Sequence, residues 1–199
     1  MRAKLVFEAF REDSDPIEDM GIGQRALIKQ WFKTWAPDVK YTIDDDFNIN
    51  IKGSLDLHGT QITELPDNLS VGGDLDLRGT PITELPDNLK VEGYLDLRRT
   101  LLSKLPNNLR VRGHLNLEGT SIIELPDNLR VGGSLHLNGT PITKLPDNLS
   151  VGGDLYLRGT PITELPDNLS VGESLYLRGT DITELPKSLK VKGDIYKDF

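Results

Sequence analysis

Apolar and polar positions follow one pattern along most of the chain, and the pattern returns every 20 residues. Its unit reads Leu-x-Leu-x-Gly-Thr-x-Ile-x-x-Leu-Pro-Asp-Asn-Leu-x-Val-x-Gly, and seven copies run from about Gly53 to Val191 without an insertion. A fixed period of this size is typical of a solenoid, in which each unit packs mainly on its neighbours. Residues 20 apart therefore form columns that can be compared directly.

The first part of each unit predicts a short strand. In segment 75–77 two leucines point to one face and an aspartate points to the other, as in a half-buried strand. This leucine column starts at Leu55 and stays apolar up to Ile195, so equivalent strands are expected to stack in parallel. A Gly-Thr turn follows, and its threonine is the only polar residue present in all seven copies. We predict that these threonines point inward and donate to backbone carbonyls.

The rest of the unit predicts a return path. Ile82 and Leu85 add buried side chains, and Pro86 excludes a long helix. Leu89 and Val91 point inward again. A glycine column is expected to let the chain turn into the next strand; its members are Gly73, Gly93, Gly113, Gly133 and Gly153.

This frame resembles the leucine-rich repeat, in a form with 20-residue units found in bacterial and bacteriophage proteins. The resemblance implies a mainly β repeat solenoid with a parallel stack of short strands, and it implies little about biochemistry. Two features depart from that family. Threonine stands where asparagine or cysteine is usual, and three residues separate Val71 from Leu75 instead of two. A β-solenoid outside that family, with sheet on more than one side, stays open.

Residues 1–46 lack the repeat and are predicted to form a small α+β cap, so that the solenoid and a terminal strand occupy 47–199. Apolar side chains recur at helical spacing from Gln24 to Trp35, and Ala36-Pro37 would end this helix. Segments 41–43 and 47–51 alternate as strands. A cofactor pocket around the two tryptophans is the alternative to a cap, and we expect no cofactor. Segment 10–23 resembles the start of tailed-phage proteins; a helix start capped by Asp15 is its other interpretation.

Charge narrows the class of partner. The chain has 31 acidic and 23 basic residues and a net charge of −8, which disfavours binding to nucleic acid. It contains no run of 18 apolar residues and no leader or lipidation motif, so no membrane attachment is expected. The absence of cysteine fits a reducing compartment, and we expect a monomer in the cytoplasm of a bacterial host. Lysines near the last coil would discourage edge pairing.

The outward strand positions hold all three histidines and four of the five tyrosines. One column changes from three aspartates through Asn116 and His136 to three tyrosines. Tyrosine and arginine are enriched at protein interfaces, so we predict a protein-binding face. Its predicted residues are Tyr94, His114, His136, Tyr156, Arg158, Tyr176, Arg178, Tyr196, Asp76 and Asp96. Tyrosines that stack only to stabilise the sheet are the alternative.

Stacked aspartates in this column need neutralisation, either by Arg78 and Arg98 or by calcium. A metal site is not expected, because the nine-residue motif of calcium-binding β-rolls is absent. An enzyme is not expected either, because the histidines fall in separate repeats and no paired nucleophile or phosphate loop is present. The phage resemblance suggests an inhibitor of a bacterial host or defence protein. An acidic nucleic-acid mimic and a structural or virion scaffold component are the alternatives.

Overall fold

The structure is a computed structural model that describes residues 18–127 and 129–198. Within these ranges it contains one helix, α1, Glu18–Trp35. The strands are β1 Tyr41–Ile43, β2 Ile49–Ile51, β3 Leu55–Asp56, β4 Leu69–Val71, β5 Leu75–Asp76, β6 Lys90–Val91, β7 Leu95–Asp96, β8 Arg110–Val111, β9 Leu115–Asn116, β10 Arg130–Val131, β11 Leu135–His136, β12 Ser150–Val151, β13 Leu155–Tyr156, β14 Ser170–Val171, β15 Leu175–Tyr176, β16 Lys190–Val191 and β17 Ile195–Tyr196. The predicted helix start at Asp15 lies outside the described residues.

These strands form two sheets that run along a solenoid. Sheet A has nine strands, β1 and the even-numbered strands from β2 to β16, and sheet B has the eight odd-numbered strands from β3 to β17. Apart from the antiparallel pair β1 and β2, neighbours are parallel and residues 20 apart are in register, as Leu75 and Leu95 are. The predicted mainly β solenoid with a parallel stack of strands is confirmed.

Sheet A was not part of that prediction. It uses the Leu-x-Val segment of each unit, so every 20-residue coil contributes one short strand to each of two sheets. Two sheets are the arrangement of the alternative fold that the sequence left open, a β-solenoid with sheet on more than one side. Membership of the leucine-rich repeat family stays a prediction.

The interior of each coil holds six apolar side chains. In the coil that begins with β5 they are Leu75, Leu77, Ile82, Leu85, Leu89 and Val91, all at most 8% exposed. The expected inward positions of Ile82, Leu85, Leu89 and Val91 are therefore confirmed. Because the same six positions are filled in successive coils, the solenoid has one continuous core.

The Gly-Thr turn is a type II β-turn, closed in the second copy by a hydrogen bond from the Thr80 amide to the Leu77 carbonyl at 3.2 Å. Its glycine has positive φ in six copies, and Arg99 takes the same conformation with a φ of 57°. Threonine hydroxyls donate to the same leucine carbonyl at 2.7 to 2.8 Å in every copy. The predicted inward threonines are thus confirmed, and they are buried in the five central copies.

The chain bends at the glycine column between the two sheets, as predicted, but glycine is favoured there for another reason. None of its members has positive φ. Successive coils instead approach so closely here that a Cβ on Gly113 would lie 2.4 Å from the Gly93 carbonyl oxygen. Close contact between coils therefore favours glycine at this column, although Glu173 occupies the same position in one coil.

Helix α1 begins six residues before the predicted start and ends at Trp35, where the sequence predicts it to end. Phe32 is buried and stacks on Tyr41 with 3.8 Å between ring centroids. The Trp31 ring N–H donates to the Glu64 carbonyl at 3.2 Å, which joins the helix to the first coil. The boundary between residues 46 and 47 stays a prediction.

One predicted strand is shorter than expected. The alternation from Phe47 to Ile51 yields a strand only from Ile49, because Asp44 accepts hydrogen bonds from the amides of Asp46 and Asn48 and closes a tight turn. Phe47 takes a φ of 58° in that turn and cannot join the ladder.

Candidate functional site

The outer face of sheet B carries three columns of side chains, which begin at Ser54, Asp56 and His58. Coils are joined in register, so members of one column lie about 4.8 Å apart. All ten predicted binding residues lie on this face. The structure divides them into groups with different surroundings.

The column that begins at Ser54 lies beside the strands, and its side chains form hydrogen bonds to the backbone of the next coil. The Asp154 carboxylate accepts a hydrogen bond from the Ser174 amide at 2.8 Å, and the His114 ring Nδ1 accepts one from the Ser134 amide at 2.9 Å. These side chains therefore satisfy backbone groups that no strand partner reaches. Tyr94 stands in the same column, contacts His114 edge to face at 6.1 Å, and has a pKa raised mainly by burial.

The acidic half of the central column is neutralised from within the chain. Arg78 donates to both oxygens of Asp76 and also pairs with Asp96 at 3.3 Å, while Arg98 pairs with Asp96 at 2.7 Å. Partial burial would raise the pKa of Asp76, but the hydrogen bonds from Arg78 outweigh it and lower that pKa. The Asp96 side chain is only 4% exposed. The expected neutralisation by arginine is present, and Asp96 offers little surface to a partner.

One group on this half has ligand atoms that could surround a cation. Oxygens of Asp56 and Asp76 and a ring nitrogen of His58 lie within 4.8 Å of one another. Asp76 is already bound by Arg78, and His58 Nδ1 lies 2.7 Å from an Asp56 oxygen. The three groups are therefore satisfied by each other and by arginine.

The aromatic half forms one continuous stack. Ring centroids of His136, Tyr156, Tyr176 and Tyr196 follow one another at 4.4, 4.5 and 4.7 Å, with planes 9 to 10° apart. Each inner ring has both faces covered by its neighbours, so a partner can reach only ring edges and hydroxyl groups. The rings therefore pack between neighbouring strands, which is the contact expected if the tyrosines stabilise the sheet. This packing is present whether or not the face also binds a partner.

Polar contacts hold the stack in place. The Tyr156 hydroxyl donates to Asp154 at 3.0 Å, and the Tyr196 hydroxyl donates to Asp194 at 3.4 Å. Burial and the neighbouring Asp154 raise the pKa of Tyr156 to about 12, so the hydroxyl stays protonated as a donor. Burial lowers the pKa of His136, which favours its neutral form.

Two arginines lie beside the stack in the third column. Arg178 pairs with Asp198 at 3.7 Å. Arg158 is exposed, and its guanidinium has neither an ion pair nor a hydrogen bond within residues 18–127 and 129–198. This contrasts with Arg78 and Arg98, which occupy the same column and are both bound to aspartate.

Other unusual exposed positions are not among the predicted binding residues. Leu101 and Ile123 are 61% and 59% exposed, although their columns hold mainly polar residues or proline in the other copies. Comparison of the columns would have found both. On sheet A, Lys90, Arg110 and Arg130 replace the serine of neighbouring copies. Their shared face was not foreseen because that sheet was not predicted.

Comparison with protein-family models and with curated proteins finds no match to this chain. No helix in the described part of the chain has the length and apolarity needed to cross a membrane.

Proposed function

We propose that this solenoid is a protein-recognition module whose binding surface is the aromatic half of sheet B. This surface, the tyrosine face, comprises Tyr156, Tyr176, Tyr196, Arg158 and Arg178. The observation that carries the proposal is the guanidinium of Arg158, which has no partner within residues 18–127 and 129–198 and lies beside a stack of rings. Arginine and tyrosine are, with tryptophan, the side chains most enriched among the residues that dominate binding energy at protein interfaces.

The stack favours binding for a physical reason. Its rings are held by their neighbours and by Asp154, so little rotamer entropy is lost when a partner docks. Ring edges and hydroxyls suit a partner surface with backbone carbonyls and apolar side chains. A carboxylate on the partner would suit Arg158, because the guanidinium can donate two parallel hydrogen bonds to it.

The acidic half of the same face is less suited to contact. Asp76 and Asp96 are bound by arginine, and a mimic of nucleic-acid phosphates needs carboxylates that are free to bind cations. This disfavours an acidic nucleic-acid mimic on sheet B, whereas exposed carboxylates of the return segment such as Asp87 and Asp147 have no ion pair among the described residues. We keep as hypotheses that the partner is a bacterial host or defence protein, that binding inhibits it, and that the protein acts as a cytoplasmic monomer. A scaffold role is the remaining alternative.

The test is affinity capture from a bacterial lysate with three immobilised proteins, wild type, Arg158→Glu and Lys144→Glu, and quantification of the retained proteins by mass spectrometry. Both substitutions reverse one exposed charge, but Lys144 lies on the return segment, away from sheet B, and pairs there with Glu164 at 3.7 Å. We expect one set of proteins to be retained by wild type and Lys144→Glu and lost with Arg158→Glu. Circular dichroism checks that all three are folded.

A salt series on the same resin separates the alternatives. An interface with an aromatic centre should persist as salt rises, whereas a charge mimic should release its partner. If Asp87→Ala, on the return segment, abolishes capture while Arg158→Glu and Tyr176→Ala do not, the binding surface is the Leu-Pro side of the solenoid and the proposal is wrong.

A further inference from the structure

The outer face of sheet A carries a row of three cations on consecutive strands. Lys90, Arg110 and Arg130 are the first residues of β6, β8 and β10. They are paired directly in the parallel register, so neighbouring side chains leave the sheet about 4.8 Å apart. All three are exposed. We call this the basic row.

The basic row has no charge partner among residues 18–127 and 129–198. No ion pair or side-chain hydrogen bond involves Lys90, Arg110 or Arg130 within the residues that the structure describes. The nearby Glu92 is paired with Arg112 at 3.1 Å. This differs from sheet B, where the arginines of the acidic half are bound to aspartates of the same face.

The fold does not need cations at these positions. Ser70, Ser150 and Ser170 occupy the same column in other coils with the same strand pairing. Like charges in adjacent positions of a sheet repel, so the row lowers stability unless an anion binds. Segment 90–112 as a whole has six basic and two acidic residues in a chain with a net charge of −8.

We propose that the basic row is a second binding surface, separate from the tyrosine face, and that it binds an acidic segment of a protein. Two of its three cations are arginines, whose planar guanidinium matches a carboxylate. The exposed amides of Asn88 and Asn108 lie two residues before Lys90 and Arg110; Asn88 Nδ2 also donates to Asn68 at 3.4 Å, and its second N–H and the Asn108 amide add hydrogen-bond donors along the same edge.

A nucleic acid fits this surface less well. The column contains no aromatic residue on which a base could stack. The row covers only three coils, about 10 Å between its outer strands. A long polyanion would extend beyond it over a protein that is acidic overall, whereas a short acidic segment would stay within it.

The test measures fluorescence anisotropy of a labelled peptide with four consecutive glutamates at low salt, because about four extended residues span the row. The variant Lys90→Ser/Arg110→Ser/Arg130→Ser introduces the residue that other coils carry in this column, so it should fold. We expect it to bind the peptide at least about tenfold more weakly than wild type. The control Lys33→Ser/Lys40→Ser/Lys187→Ser changes net charge equally and should keep most of the affinity. Ser150→Arg lengthens the row and should strengthen binding.

Four results would overturn the proposal. The first is no binding of the peptide by wild type. The second is an equal loss of affinity in the two triple variants, which would show that only net charge matters. The third is tighter binding of a four-nucleotide single strand than of the peptide, with the same dependence on the row. The fourth is loss of peptide binding in Arg158→Glu, because Arg158 lies on sheet B and the basic row lies on sheet A. We expect Arg158→Glu to bind the peptide as wild type does, whether or not the tyrosine face binds a protein.

Discussion

Replacement of Thr120 by valine tests the threonine column at the centre of the solenoid. Thr120 is 5% exposed, and its hydroxyl donates to the Leu117 carbonyl at 2.7 Å. The Thr120 amide donates to the same oxygen at 3.1 Å. Valine keeps the shape of the side chain and replaces the hydroxyl by a methyl group, so the substitution removes one hydrogen bond and little else.

The geometry sets the size of the effect. A carbonyl left without any partner in the core would cost about 1 to 3 kcal/mol. The Leu117 carbonyl keeps its bond from the Thr120 amide, so the loss should be nearer the net value of one hydrogen bond. We therefore expect the free energy of unfolding to fall by about 1 kcal/mol.

Urea unfolding followed by circular dichroism measures this change. Thr143→Val is the matched control, because Thr143 is exposed and its side chain has no hydrogen bond to any residue that the structure describes. Its free energy of unfolding should stay within about 0.5 kcal/mol of wild type. A midpoint for Thr120→Val equal to or above that of wild type would refute the role of the buried hydroxyl.

Three further changes test other features of the structure. Arg99→Gly should raise the free energy of unfolding by about 0.5 to 1 kcal/mol in urea titrations, because glycine takes the φ of 57° without strain and the other copies have glycine there. Tyr176→Ala should lower it by about 1 to 3 kcal/mol, because the stacked contacts at 4.5 and 4.7 Å are lost, and Tyr176→Phe should lower it less. His136→Tyr should reduce the loss of stability on acidification. The pKa of His136 is lowered in the fold, so the unfolded chain binds its proton more readily and stability falls as pH drops below about 6.5.

Each of these has a clear contrary outcome. A lower urea midpoint for Arg99→Gly would mean that the arginine side chain stabilises the turn more than its backbone strains it. Equal stability of Tyr176→Ala and wild type would mean that the rings are not packed as the distances indicate. Parallel pH profiles for His136→Tyr and wild type between pH 7 and 5 would mean that His136 is not desolvated.

The sequence by itself determined the stack of strands in sheet B, the inward threonines and the end of the helix at Trp35. These follow from local rules. Alternation assigns Leu75 and Leu77 to one face, a constant period of 20 brings equivalent residues together, and Pro37 follows the last turn of the helix. The outward positions of the candidate binding residues were predictable for the same reason.

Only the tertiary structure decided the second sheet and the surroundings of the charges. An inward Leu and Val suit any extended segment, and whether that segment joins a sheet depends on hydrogen bonds to a coil 20 residues away. Charge partners are also nonlocal. The same column places Arg98 on a buried aspartate and Arg158 in solvent, because the neighbouring column changes from aspartate to tyrosine. Which cations stay unpaired therefore depends on side-chain packing between coils, which a one-dimensional pattern does not contain.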